Sequence, residues 1–266
     1  MVELTTEGVR IAHWKRVEAT RRQLDRRAVR EVRKQFRAES MEVLGVFTGS
    51  GTTESGATAA IETIIAQEQA WESTYQRLYT IGGTGFAVAT FQEIVGTRPP
   101  QDIQDLWAVG VQQYVETATR PKIVGIGTTT ARRVQTAIAN GLAEGEGIPK
   151  IARRIRQEYV GFNRARSVAI ARTEMTPASN FGATQAAQST GLDLQQEWIS
   201  TKDDKTRGLE SSDEFNHIDA DGLVTELEQP FEVSGELLLF PGDVSFGASP
   251  GNVINCRGAV AFRKRR

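Results

Sequence analysis

Cysteine is almost absent: Cys256 is the one example in 266 residues. An internal disulfide and a multi-cysteine metal cluster within one chain are therefore excluded. No apolar run approaches the roughly 20 residues that a membrane helix needs, so no membrane partner is expected. The opening Met1-Val-Glu-Leu-Thr-Thr-Glu7 is acidic and lacks the apolar stretch of a secretory leader. Synthesis and assembly in a cytoplasm are expected. The chain also has no phosphate-cradling Gly-x-x-x-x-Gly-Lys, no Gly-x-Ser-x-Gly elbow and no His-Glu-x-x-His. Gly82-Gly-Thr-Gly85 is followed by no lysine and reads as a flexible turn rather than a nucleotide loop.

What is present is ordinary in bulk, with 39% hydrophobic and 24% charged residues. The net charge of −1 conceals a segregation along the chain. Residues 120–180 carry 11 basic and 4 acidic side chains, whereas residues 181–262 carry 4 and 14. Residues 1–45 are also basic, residues 46–119 are acidic, and the last four residues are all basic. Such alternation suits charged partners, nucleic acid among them. Between residues 149 and 166, six basic residues meet a single acid, Glu158. That excess favours phosphate contact or an acidic protein surface, such as that of a neighbouring subunit, over a merely solvated face. The candidate DNA contacts are Arg153, Arg154, Arg156, Arg164 and Arg166, joined by Arg263, Lys264, Arg265 and Arg266 in a tail expected to be mobile. Without aromatic–basic interleaving, binding to double-stranded DNA should be indifferent to sequence and sensitive to salt.

The periodicity describes an α+β protein with long helices in its N-terminal and middle regions and a small, β-rich C-terminal domain. Leu24, Ala28, Val32 and Phe36 recur every four residues in a helix over 9–44. Thr48 to Gly56 breaks it. A second helix over 57–79, with the stripe Ile61, Ile64, Ile65, Glu68, Trp71, Tyr75 and Leu78, should pack back as a hairpin. Arg98-Pro-Pro100 forces an extended link. Helices follow over 102–117, from a cap at Thr128-Thr-Thr130 through Leu142, over 149–159, and over 163–188, where Pro177 should kink or restart the chain. Short strands are expected near 192–200, 223–225, 231–233, 237–240 and 253–255. The expected division is a hairpin arm over 1–80, a helical region over 81–190 and an α+β domain over 191–266.

Candidate chemistry in the last third is open to two readings each. His217 and Cys256, with Asp203, Asp204 or Asp221, have the count for a zinc site, yet two lone residues so far apart carry little ligand spacing. The favoured alternative is a histidine that orders a turn by bonding Asp204 or a carbonyl. His217, Asp219, Asp221, Gly222 and Glu228 partly imitate a calcium loop, but an Asp-Gly turn between strands fits better. Arg172, Ser200-Thr201 and Glu226-x-Glu228 loosely imitate an ADP-ribosyltransferase triad. No catalytic residue, metal or cofactor is assigned from these patterns, and the protein is expected not to be an enzyme.

An ordered string of short signatures runs through the same region. It comprises Trp198 to Arg207, His217, Asp221-Gly222, Pro230-Phe231, Pro241-Gly-Asp243 and Pro250-Gly-Asn-Val-Ile-Asn255-Cys256-Arg257. Upstream lie Glu144 to Ile155 and Ala171-Arg172-Thr173-Glu174 with Ala178-x-Asn180. In order and spacing, this string resembles the phage head-morphogenesis family typified by the phage Mu minor head protein, over about residues 128–260. The family commonly ends its signature in Cys-Arg-Cys, and Gly258 replaces the second cysteine here. The resemblance implies a minor head protein inside the virion, assembled in the host cytoplasm with the portal and with capsid or scaffold proteins, and acting in DNA packaging or ejection. Arg172, Glu174, Asp204, Arg207, His217, Asp221, Asp243, Asn255, Cys256 and Arg257 form its expected structural signature. Glu174 or Arg172 should pair with Arg207 or Asp204, and Asp204, Arg207, His217 and Asn255 should brace the C-terminal domain. The alternatives from other classes are an enzyme on that domain, ADP-ribosyltransferase-like or metal-dependent, and a free DNA-binding protein.

Overall fold

The computed structural model describes residues 6–201, 203–210 and 212–265. Seven helices come first: α1 (Glu7–Gly49), α2 (Thr53–Ala66), α3 (Glu68–Val95), α4 (Gln101–Ala118), α5 (Arg120–Ala143), α6 (Ile148–Gly161) and α7 (Ser167–Ser189). A π-helical turn, Phe162–Arg166, joins the last two. The strands β1 (Leu194–Ile199), β2 (Val224–Glu226), β3 (Phe231–Val233), β4 (Glu236–Leu238) and β5 (Ala259–Lys264) follow, with a short helix α8 (Pro250–Val253) before β5. The fold is α+β, as the periodicity indicates. None of the described helices is long and apolar enough to cross a membrane.

Packing groups the chain into two compact units that cut across its linear order. One comprises residues 29–75 and 119–171; the other comprises 6–28, 76–118 and the described residues between 172 and 265.

In the first unit, the four-residue stripe of α1 does what its spacing predicts: Val32 and Phe36 are fully buried, as are Val43 and Phe47. Glu39 is buried among them. Its carboxylate accepts from Trp71 Nε1 at 2.8 Å and from the Tyr159 hydroxyl at 2.9 Å. Burial pushes its pKa up, against the pull of those two donors. The second helix of the sequence reading is two helices, because the chain turns at Gln67. Gln67 is buried, accepts from Gln35 Nε2 at 3.1 Å and donates to Glu42 at 2.5 Å. Within the expected stripe, Ile64 and Trp71 are buried, whereas Ile65 is 64% exposed. Thr128-Thr-Thr130 does not cap a helix. α5 starts earlier, at Arg120, with Pro121 in its first turn, where the missing N–H costs nothing. Buried Thr130 lies within it and donates to the Ile126 carbonyl at 2.8 Å.

The second unit corrects three further expectations. Gly82-Gly-Thr-Gly85 is not a turn but part of α3. A Cβ on Gly82 would come within 2.7 Å of Ala178 Cβ, and Gly83 lies against Gly182. These glycines let α3 and α7 approach closely, a tertiary reason that local propensity does not carry. Val253 to Asn255 is not a strand: α8 ends there, and Asn255 turns the chain at φ +58°. The segment read as a mobile tail is β5 as far as Lys264.

β1 is the middle strand of an antiparallel sheet ordered β2–β1–β5, with Trp198 opposite Val260. Trp198 faces a core of Ala220, Phe231, Val233, Leu238 and Val253. Ile199, Ala259 and Ala261 face the other way, where Val9, Trp14 and Val17 of α1 cover them. Both faces of the central strand are therefore buried, which is why β1 lacks a clean apolar–polar alternation. β3 and β4 form a hairpin whose two turn residues, Ser234 and Gly235, both have positive φ. Pro177 lies inside α7 without ending it, and its ring packs against Gly242.

Candidate functional site

The polar residues of the signature converge in the second unit, and most of them hold backbone rather than each other. Asn180 on α7 is the centre. Its side-chain oxygen accepts from Arg21 Nη2 at 3.0 Å and from the Val260 amide at 3.1 Å. Its nitrogen donates to the Pro241 and Gly258 carbonyls at 2.9 and 3.2 Å. All four hydrogen-bonding positions of one amide are thus used. Arg21 also donates to Ser179 Oγ at 2.6 Å and to the Arg257 carbonyl at 3.1 Å. Burial draws the Arg21 guanidinium down to about 10.

The aspartates each fasten a turn. Asp243 is fully buried and accepts from the Tyr114 hydroxyl at 2.8 Å, from the Leu239 amide at 2.9 Å and from Ser245. Burial, then the Asp243 charge, push the Tyr114 hydroxyl well above its ordinary value. Asp221 accepts from the Ser200 amide at 2.9 Å and lies 3.4 Å from Arg10. Gly222, at φ +82°, donates its amide to the Trp198 carbonyl at 2.8 Å. Asp221-Gly222 is therefore a turn stapled to the end of β1, with its carboxylate engaged by protein donors. Asp203 grips Arg257 through two bonds of 2.6 Å, and that guanidinium holds its carboxyl down at about 2.

His217 is buried against the edge of Trp198, with ring centroids 5.8 Å apart. Its Nε2 lies 2.6 Å from Asn252 Oδ1, and its Nδ1 lies 3.8 Å from Cys256 Sγ. Asn252 donates its amide nitrogen to the Val233 carbonyl at 3.1 Å and to Glu236 at 3.0 Å. Those two acceptors fix which way the amide points, so Nε2 carries the proton and Nδ1 faces the thiol. Burial opposes charging of both partners. Nevertheless the His217 imidazolium, its hydrogen bond and the Gly258 amide draw the Cys256 thiol below its ordinary value, and the thiolate draws His217 up.

The structure rearranges the expected pairs. Arg172 pairs with Asp25 at 3.8 Å, and buried Glu174 accepts from the Tyr79 hydroxyl at 3.3 Å. The supposed partner Arg207 instead donates to the Asn252 and Ile254 carbonyls. Asp204 and Asn255 are exposed, and their places in the brace are taken by Asp203 and Asn252. Neighbouring like residues in Asp203-Asp204 and Asn252…Asn255 cannot be told apart by spacing alone. Asn180 had only its place in the Ala-x-Asn signature to mark it. The triad-like set is engaged separately: Ser200 Oγ donates to the His217 carbonyl, Thr201 bonds Thr206 at 2.7 Å, and Glu226 accepts from Gln195 at 3.0 Å. Among the described residues, no three His, Cys, Asp or Glu side chains are grouped so as to hold a metal ion.

Beside the brace, a cleft of about 650 Å³ is lined by Arg21, Arg22, Arg172, Lys205, Arg207 and Arg257, against the acids Glu18 and Asp25. Cys256 also lines it. Lys205 and Arg207 make no salt bridge among the described residues.

The basic residues proposed for DNA fall into two groups. Arg153, Arg156 and Arg164 are exposed and make no salt bridge among the described residues. Arg154 is held by Glu144 and Glu146, the latter at 2.6 Å. Arg166 donates to Thr130 Oγ1 at 2.7 Å and to the Ile126 carbonyl at 2.9 Å, over the rings of Phe36 and Phe162. At the C-terminus, Arg263 and Arg265 face Glu197 and Glu226 at 3.9 and 3.7 Å. Lys264 is exposed at the end of β5, and Arg266 lies outside the described residues.

The sequence profile of the family described as Phage Mu protein F like protein matches residues 132–261, from within α5 into β5. No curated protein and no solved structure matches the chain.

Proposed function

We propose, from the membership of residues 132–261 in the Phage Mu protein F like family, that this phage head-related protein is a minor head protein. It is associated with the portal and with capsid or scaffold proteins, and it acts in head morphogenesis, DNA packaging or DNA ejection inside the virion. The observation that carries the reading is the family match itself, since its stretch contains every signature residue from Glu144 to Arg257. The chemistry of those residues agrees with a structural role. Asn180, Asp203, Asp221 and Asp243 are occupied in fastening turns, and Asn180 has all four of its hydrogen-bonding positions filled by protein partners.

A second element of the reading is contact with double-stranded DNA in the head. Its support is the exposed set Arg153, Arg156 and Arg164, which make no salt bridge among the described residues. Such contacts add affinity without reading sequence.

The test is purification of the tagged chain from infected cells and of assembled heads, with mass spectrometry of what accompanies it. Portal protein in the eluate, and this chain in finished heads at low copy, are the expected results. Recovery of neither portal nor capsid components, with the chain absent from heads, overturns the proposal.

A further inference from the structure

One group in the brace is not explained by holding turns. A buried asparagine that orients a histidine is ordinary structure, but here the other ring nitrogen faces the chain's single thiol. The order sulfur–imidazole–amide is the arrangement by which thiol enzymes prepare a nucleophile. Three features support that use. Asn252 fixes the Nε2–H tautomer of His217 and leaves Nδ1 to take the thiol proton. Trp198 packs edge-on to the imidazole and fixes its plane. Cys256, only 2% exposed, reaches the wall of the basic cleft, where Lys205 and Arg207 make no salt bridge among the described residues.

We propose that Cys256 is an activated thiol, with His217 as its proton acceptor and Asn252 as the residue positioning His217, and that it exchanges with disulfides bearing carboxylates that enter the basic cleft. This inference does not depend on the role in the head. The thiolate sulfur attacks one sulfur of the disulfide. A new S–S bond forms to Cys256, the original S–S bond breaks, and the other half leaves as a thiolate that takes the proton from His217. Cys256 is oxidised to a mixed disulfide while the departing half is reduced, so no further oxidant is needed. Acyl transfer is the poorer fit. It requires preorganised donors for an oxyanion, and the Gly258 amide beside the sulfur already bonds the sulfur itself.

The charged groups facing the thiol are His217 and Arg207 from the segment after β1, Arg21 from α1, and Arg257 next in sequence. These four favour the thiolate against the burial of the sulfur and the cleft acids Glu18 and Asp25, and the balance lies below the ordinary thiol value, so reactivity should persist at pH 6, where an ordinary thiol with a pKa near 8.5 is almost wholly protonated.

The experiment uses the full native chain, a dianionic disulfide, 5,5′-dithiobis(2-nitrobenzoate), and a neutral one, 2,2′-dithiodipyridine. Because there is a single cysteine, the released thiol reports on Cys256 alone. The expected result is one equivalent released per chain at pH 6, at least about tenfold faster than from the guanidinium-unfolded chain at the same pH. Lys205→Glu, a change at an exposed side chain whose main-chain amide alone bonds Asp203, should slow the dianionic probe several-fold more than the neutral one. His217→Gln should move the pH–rate midpoint toward that of the unfolded chain. If the native thiol reacts no faster than the unfolded one, or if Lys205→Glu slows both probes equally, the proposal is overturned.

Discussion

Gly83 and Gly182 pack backbone to backbone: a Cβ built on Gly182 would lie 2.2 Å from the Gly83 carbonyl oxygen. Because the obstruction is main chain, no rotamer change relieves it. Gly182→Ala should therefore cost about 3 kcal/mol in chemical denaturation, at the upper end of overpacking. Gly85 is the internal control. It lies in the same α3 run with nothing within 4 Å of its added Cβ, so Gly85→Ala should be neutral or gain up to about 1 kcal/mol. Equal effects at the two positions would refute the close-approach account.

Asn180→Ala should be among the most damaging single changes in the chain. It leaves the Val260 amide, the Pro241 and Gly258 carbonyls and one Arg21 nitrogen without their partner. A loss of about 3 kcal/mol or more is expected, each unsatisfied group costing about 1–3 kcal/mol. Asn180→Asp should not rescue it, since a carboxylate accepts from Arg21 and Val260 but repels two carbonyls. Thermal unfolding of both variants checks this; a stable Asn180→Asp protein would show that the donor half is unimportant.

The Asp203–Arg257 pair sets a pH dependence whose sign is fixed. The carboxyl is held down at about 2 in the fold, so its contribution is complete above the ordinary value of 3.8 and fades as pH falls toward 2. Asp203→Asn should cost about 1 kcal/mol at neutral pH, a modest figure because the pair is partly exposed. The gap between wild type and variant should close between pH 4 and pH 2. A gap that stays constant over that interval would show that Arg257 does not stabilise the charge.

For DNA, the neutralisation pattern separates arginines that sequence alone treats alike. Changing Arg153, Arg156 and Arg164 together to Ala should weaken retention on double-stranded DNA at low salt and flatten the slope of log affinity against log salt by about 3. Arg154→Ala should have a smaller effect on the slope, because Glu144 and Glu146 already neutralise it. Unchanged retention by the triple variant removes this face as a DNA contact.

The extent to which these features were legible followed the range of the interactions. The stripe Val32 to Phe36, the stop near Gly145 and the Asp221-Gly222 turn are local, and periodicity or turn chemistry reveals them. Gln67 was concealed because a buried glutamine that breaks a helix looks like an exposed one on its surface. β5 was concealed because its basic end resembles a solvated tail, whereas Arg263 lies 3.9 Å from Glu197 of β1.

By itself the sequence determined that the fold is α+β, that long helices precede a small sheet, and which family signature residues 132–261 carry. These are properties of neighbours along a chain. The tertiary structure alone decided which of two adjacent aspartates meets Arg257, why α3 tolerates its glycines, and that Cys256 faces His217 across 39 positions. The physical reason is that burial and hydrogen-bond partnership are set by what the folded chain brings close, and no spacing rule encodes that proximity.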